Sequence, residues 1–306
     1  MQADHPIFFD GSLVESSSLR MTLNLIIINQ HGAWQSSDHK LSGAGKPKND
    51  SVKHVCLNCS DAKAVLMYAG LGSLDEIDAS EWIRQILRGR SRRIAETLKL
   101  ISDTATADLG ELLAAKGWPH IFTLGIFRGK EPWVAQVANI RARKDRKFRL
   151  SDRITSIFNV VSMPVPSNGL WAALGQPNVV SKEDARMMRN LAKRAAKDPI
   201  EYQNALASIN LRASQTRAGE RTISGACVTT FMPAVGGINT RFHNTDGASQ
   251  VMTVPFLLQG FDLTEVQRRS AKQMSDWIAG GSSQFTEDLK IDQLLTPGNP
   301  YRKRDK

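Results

Sequence analysis

The hydrophobic period of this chain switches twice from that of a strand to that of a helix, and each switch follows strand segments grouped as hairpins. Thr22 to Ile28 is rich in aliphatic and β-branched residues, and Asn29-Gln30-His31-Gly32 turns it into Ala33 to Asp38. A polar loop, Ser42 to Asp50, leads to Val52 to Leu57. There Asn58-Cys59-Ser60-Asp61 turns the chain into Ala64 to Gly70. Helical spacing follows, with Trp82, Ile83, Ile86 and Leu87 in one segment and Ile94, Leu98, Ile101, Leu109, Leu112 and Leu113 in the next.

The second half runs in the same order. Ile121 to Phe127 and Trp133 to Ile140 form a hairpin across Arg128-Gly129-Lys130-Glu131, and Ile157 to Val165 and Leu170 to Leu174 read as shorter strands. Ser181, with Asp184 three residues on, caps a helix expected to reach about Ala196, and Asp198-Pro199 opens another through Leu206, Ile209 and Leu211. Cys227 to Met232 and Ile238 to Phe242 flank a Gly-rich turn. Thr253 to Leu258 reads as an edge strand, and Thr264 to Ile278 as a terminal helix.

Strands in hairpins with helices in pairs argue against a βαβ parallel sheet, whose strands must be joined by long crossovers. The layout predicts an α+β fold: a four-layer αββα sandwich of two antiparallel sheets covered by helix pairs. All strands enter one core, so a single domain over 22–280 is expected. Residues 1–21 then form an N-terminal extension or propeptide, and 281–306 a flexible basic tail.

Other classes of function find little support. No apolar run approaches the roughly 20 residues of a membrane-spanning helix. The N-terminus, with Asp4, Asp10 and Glu15 around Ile7-Phe8-Phe9, lacks the basic and apolar regions of a secretory signal, so a cytoplasmic protein without membrane attachment is expected. Three cysteines, Cys56, Cys59 and Cys227, cannot pair completely and read as free thiols. His54-x-Cys56-x-x-Cys59 is half of a zinc spacing with no second pair, and no Walker loop, Gly-x-Gly-x-x-Gly or His-Glu-x-x-His is present. Neither metal nor cofactor is expected. The net charge of +10 is scattered over Arg84 to Arg93, Arg141 to Arg149, Arg186 to Lys197 and Arg302-Lys303-Arg304, with few aromatics between them. This fits solvated faces better than a nucleic-acid track.

The element order and five short strings together resemble the proteasome-like branch of the N-terminal-nucleophile hydrolases, over about Thr22 to Ile278. The strings are Met21-Thr22-Leu23, Ser37-Asp38, Val52-Lys53-His54-Val55, Tyr68-Ala69-Gly70 and Ser224-Gly225-Ala226. The resemblance implies a threonine-type amidohydrolase or peptidase acting on peptide or protein substrates, assembled as a homo-oligomer.

It implies roles as well. Thr22, exposed at a mature N-terminus once residues 1–21 are gone, is the nucleophile, and its freed amine is the base. An α-amino group titrates near ~7.7–8.0, so a neutral amine is available. Asp38, sixteen residues on, holds a lysine whose charge lowers the proton affinity of the amine and hydroxyl. That position falls on His54 without gaps and on Lys53 with a one-residue loop difference. Strand alternation allows only one of the two to reach Thr22, and Lys53 is preferred because it keeps its charge at neutral pH. Gly70 matches a backbone donor to the developing oxyanion, and Ser224 a serine beside the amine. Two positions depart from the pattern: Arg221 stands where the family has an aspartate, and Gln176 where it has a second serine. An inactive scaffold or binding protein of the same fold is the alternative.

Overall fold

The computed structural model describes residues 22–40, 52–74, 77–142, 150–194, 198–220, 222–244 and 254–278. The expectations for 1–21, the Ser42 to Asp50 loop, the basic stretch 143–149, Arg221 and the 281–306 tail lie outside the described residues.

The strands are β1 (Leu23–Asn29), β2 (Gly32–Asp38), β3 (His54–Asn58), β4 (Lys63–Ala69), β5 (Ser73–Leu74), β6 (Ile77–Asp78), β7 (Ile121–Arg128), β8 (Glu131–Ala142), β9 (Leu150–Pro164), β10 (Leu170–Gly175), β11 (Cys227–Pro233), β12 (Asn239–His243), β13 (Phe256–Leu258) and β14 (Phe261–Asp262). The helices are α1 (Ala79–Leu87), α2 (Ile94–Lys116), α3 (Lys182–Lys193), α4 (Pro199–Ser214) and α5 (Leu263–Ile278). One sheet runs β10-β1-β2-β11-β12 and the other β14-β13-β3-β4-β7-β8-β9, while β5 and β6 pair apart. The fold is α+β, with two mostly antiparallel sheets in a sandwich.

Period-2 alternation builds the layers. Leu23, Leu25 and Ile27 of β1 pack outward with Met188, Tyr202 and Leu206 of α3 and α4, while Ile26 and Ile28 turn inward to meet Val65 and Met67 of β4. On the opposite side, Val55, Leu57, Leu66 and Leu124 pack under Trp82, Ile83, Ile101 and Leu109 of α1 and α2. Trp34 stacks on Tyr202 with ring centroids 4.4 Å apart, anchoring α4 to β2.

Both helix starts expected from local chemistry are present. The Ser181 hydroxyl accepts from the Asp184 N–H at 3.0 Å, and the Asp198 carboxylate accepts from the Ile200 N–H at 2.8 Å with Pro199 in the first turn.

Three expectations change. The segment expected from Ile157 to Val165 is a 15-residue strand, β9, because the long β8 supplies a partner back to Leu150. β13 joins β3 in parallel, so the seven-stranded sheet is not wholly antiparallel. Arg84 and Arg88 are not solvated. Both donate to the buried Asp262 carboxylate, at 3.2 and 2.7 Å, and tie α1 to β14.

Candidate functional site

Thr22 lies just before β1, Asp38 ends β2 and Lys53 just precedes β3. The β1–β2 register pairs Asn24 with Ser37, which sets Leu23 opposite Asp38. All three side chains are buried, with Thr22 4%, Asp38 0% and Lys53 2% exposed. The Thr22 hydroxyl donates to Asp38 Oδ1 and its oxygen accepts from Lys53 Nζ. Lys53 Nζ also donates to Asp38 Oδ1 at 3.1 Å and to the Lys40 carbonyl at 2.5 Å. Every proton of the ammonium group has an acceptor.

Asp38 is gathered in by backbone amides too. Leu23 N–H reaches Oδ1 at 3.2 Å, and Lys40 and Ser224 N–H reach Oδ2 at 3.0 and 3.3 Å. Charge-assisted bonds of this kind compensate a carboxylate for lost water. Burial pulls the Lys53 pKa below its ordinary value, and the nearby Asp38 charge and hydrogen bond oppose that fall. The site is thus a lysine–aspartate ion pair closed over a threonine hydroxyl.

His54 does not join this cluster. Its ring points between the sheets, where Nδ1 lies 2.7 Å from Thr230 Oγ1 on β11. Burial, followed by the nearby His39 and Lys53, pushes its pKa down to about 3, so it is neutral. Lys53 reaches Thr22 and its neighbour faces away.

Gly70 follows β4, whose end lies beside Thr22. A Cβ on Gly175 would overlap the Thr22 carbonyl and lie 3.5 Å from Ala69 Cβ. Asn24 Nδ2 also bonds the Tyr68 carbonyl across the sheets at 2.8 Å. Gly70 has φ +120°, and a Cβ there would stand 2.5 Å from the Pro119 carbonyl oxygen, so only glycine fits. Ser224 contributes its backbone N–H to Asp38, while its hydroxyl accepts from Ala226 N–H at 3.1 Å. Gln176 holds the Thr22 carbonyl through its own N–H at 3.2 Å, and its side chain accepts from Thr222 Oγ1 at 2.8 Å.

The structure adds residues that the sequence reading missed. Asn24, the Lys40 carbonyl and His120 line or brace this corner, and none carries a local signal, because their partners lie between 13 and 49 residues away. Among the described residues no group of His, Cys, Asp and Glu is placed to hold a metal ion. The three cysteines are buried and free of disulfides. No described helix is long and apolar enough to cross a membrane.

The class that the fold defines is a two-sheet sandwich with its candidate site at the head of β1. No family model matches the chain, and no curated protein matches it. Among solved structures, Anbu (ancestral beta-subunit) from Yersinia bercovieri is similar over 84% of this chain and 96% of its own, with 9% identity and a TM-score of 0.52. A Gly-1 mutant of Anbu from Hyphomicrobium sp. strain MC1 aligns over 85% of this chain and 98% of its own, with 9% identity and a TM-score of 0.48. The Yersinia likeness establishes a shared fold.

Proposed function

We propose that the chain is a proteasome-like, N-terminal-nucleophile threonine hydrolase of amide bonds, active once residues 1–21 are removed. The observation that carries this reading is the buried contact of the Thr22 hydroxyl with both Asp38 and Lys53. An ordinary strand threonine has no need of a desolvated ion pair, which costs several kcal/mol per ion to bury and repays that only with full hydrogen bonding.

In this mechanism the freed Thr22 amine takes the hydroxyl proton as the oxygen attacks the substrate carbonyl. Asp38 opposes the fall that burial imposes on the Lys53 pKa, and a protonated Lys53 favours the alkoxide. The Gly70 N–H receives the oxyanion. The amine returns its proton to the leaving nitrogen, and water then releases the acyl group. The substrate class is peptide or protein. The fold likeness to Anbu, an ancestral beta-subunit, supports assembly as a homo-oligomer.

Intact mass should show a chain that begins at Thr22. Thr22→Ala should abolish peptide turnover and labelling by a threonine-reactive electrophile, and Thr22→Ser should retain part of both. A chain that keeps residues 1–21 and hydrolyses peptides equally well would overturn the amine-base mechanism. The inactive scaffold is the second reading. It is favoured by the side chain of Gln176, which is engaged with Thr222 where the resemblance implies a serine. Peptide binding without turnover by a chain that begins at Thr22 would select it.

A further inference from the structure

His120 lies outside the Thr22 cluster and carries more constraints than a core histidine needs. It is fully buried, and its Nδ1 accepts the Leu71 N–H at 3.0 Å, so the ring proton sits on Nε2. The ring stacks on Tyr68 at 6.2 Å and meets Phe122 edge-on at 4.5 Å and Phe158 at 6.1 Å. Its backbone is fixed just as firmly. Asn139, itself fully buried, accepts the His120 N–H on Oδ1 at 2.7 Å, donates its own N–H to the His120 carbonyl at 3.3 Å, and donates Nδ2 to the Trp118 carbonyl at 2.9 Å.

The peptide so held is the one that follows Gly70. Leu71 N–H belongs to the Gly70–Leu71 peptide plane, so the bond to His120 fixes that plane. Gly70 itself is walled by the Pro119 carbonyl and by His120, whose Cα and Nδ1 would both stand 2.9 Å from a Cβ at Gly70. With the plane after Gly70 pinned, Ala69 before it paired with Ile121 of β7, and φ at +120°, the Gly70 N–H has little freedom of direction. A donor to a developing oxyanion is worth most when it is aimed before the charge forms.

We propose that His120, clamped by Asn139, is a positioning residue that aims the Gly70 N–H at the substrate oxyanion. This deepens the proposed function and rests on it. His120 touches no substrate. It acts through Leu71 and Gly70.

The test uses the full chain as expressed, with its N-terminus read by intact mass. His120→Phe keeps ring packing but removes the acceptor, whereas His120→Asn keeps a short side chain whose Oδ1 can accept near the place of Nδ1. For His120→Phe, kcat should fall by about 10²-fold, the low end of the loss seen when an oxyanion donor is removed, with KM little changed. Affinity for a peptide boronate, which presents a tetrahedral oxygen, should fall in parallel. Affinity for an unreactive peptide amide should hold. His120→Asn should recover most of the loss.

If His120→Phe binds boronate and turns over peptide like the wild type, or loses boronate and amide binding equally, the positioning role is overturned. A wild-type chain that neither turns over peptide nor binds boronate overturns the reading of the site, and this role with it. Should His120→Phe not fold, the wild-type imidazole ¹⁵N shifts still decide. An unprotonated Nδ1 with a protected Leu71 amide is required, and the opposite tautomer refutes the proposal.

Discussion

Two adjacent residues, Lys53 and His54, open two different buried polar regions. At the head of β1, Lys53, Asp38 and Thr22 are charged or charge-bonded, and Lys53 and Asp38 each have several partners. Between the sheets, His54 is neutral and bonds one hydroxyl, Thr230, while its Nε2 has no hydrogen-bond partner among the described residues. A neutral imidazole can be left with one bond at modest cost, whereas an ion taken from water cannot. The ion pair is accordingly fully hydrogen-bonded, and the single bond of His54 is a contact between two sheets.

The largest expected effect breaks the charged region. Lys53→Met leaves Asp38 buried without its cation and should destabilise the full chain by about 3–5 kcal/mol. Adding Asp38→Asn should return a good part of that. Urea unfolding of the two single variants and the double variant measures the coupling. Additive losses would show that the two side chains act independently.

The neutral region should reveal itself through pH. His54 and His120 both have folded pKa values lowered from 6.5 to about 3, by burial first in each case. Well above pH 6.5 neither the folded nor the unfolded chain protonates them, and their contribution to stability is complete. As pH falls from 6.5 toward 3 the unfolded chain takes up protons that the folded chain refuses, and stability is lost by about 1.4 kcal/mol per pH unit for each histidine. His54→Gln should flatten that slope by about one histidine's share in denaturant titrations at pH 4 to 7. An unchanged slope would mean that His54 titrates freely and that its inter-sheet bond does not persist in solution.

The smallest effect sharpens the contrast. Thr230→Val removes the hydroxyl opposite His54 and should cost about 1–2 kcal/mol by thermal or urea unfolding, with no change in Thr22 labelling. A loss as large as that of Lys53→Met would make the two regions equivalent.

Much of the architecture was legible because it is written in local periods. The outward Leu23, Leu25 and Ile27, the inward Ile26 and Ile28, and the caps at Ser181 and Asp198 depend on neighbours a few residues away. The Asp38 spacing entered only through the resemblance, and the structure supplies its physical basis: a tight turn at Gln30-His31 sets the β1–β2 register and brings Leu23 opposite Asp38. β9 was read short because its N-terminal half earns strand geometry from β8 rather than from its own residues.

Sequence alone determined the two-sheet layering, since alternation and turn chemistry act over short separations, whereas the pairing of Thr22 with Asp38 entered only through the resemblance. Only the tertiary structure decided between Lys53 and His54, paired Arg84 and Arg88 with Asp262 some 174 to 178 residues away, and set His120 against Leu71. The physical reason is that alternation says the side chains of Lys53 and His54 part, but not which one turns toward Thr22. That choice comes from the packing of one sheet on the other, where the His54 bond to Thr230 of β11 holds its ring between the sheets while Lys53 meets Asp38.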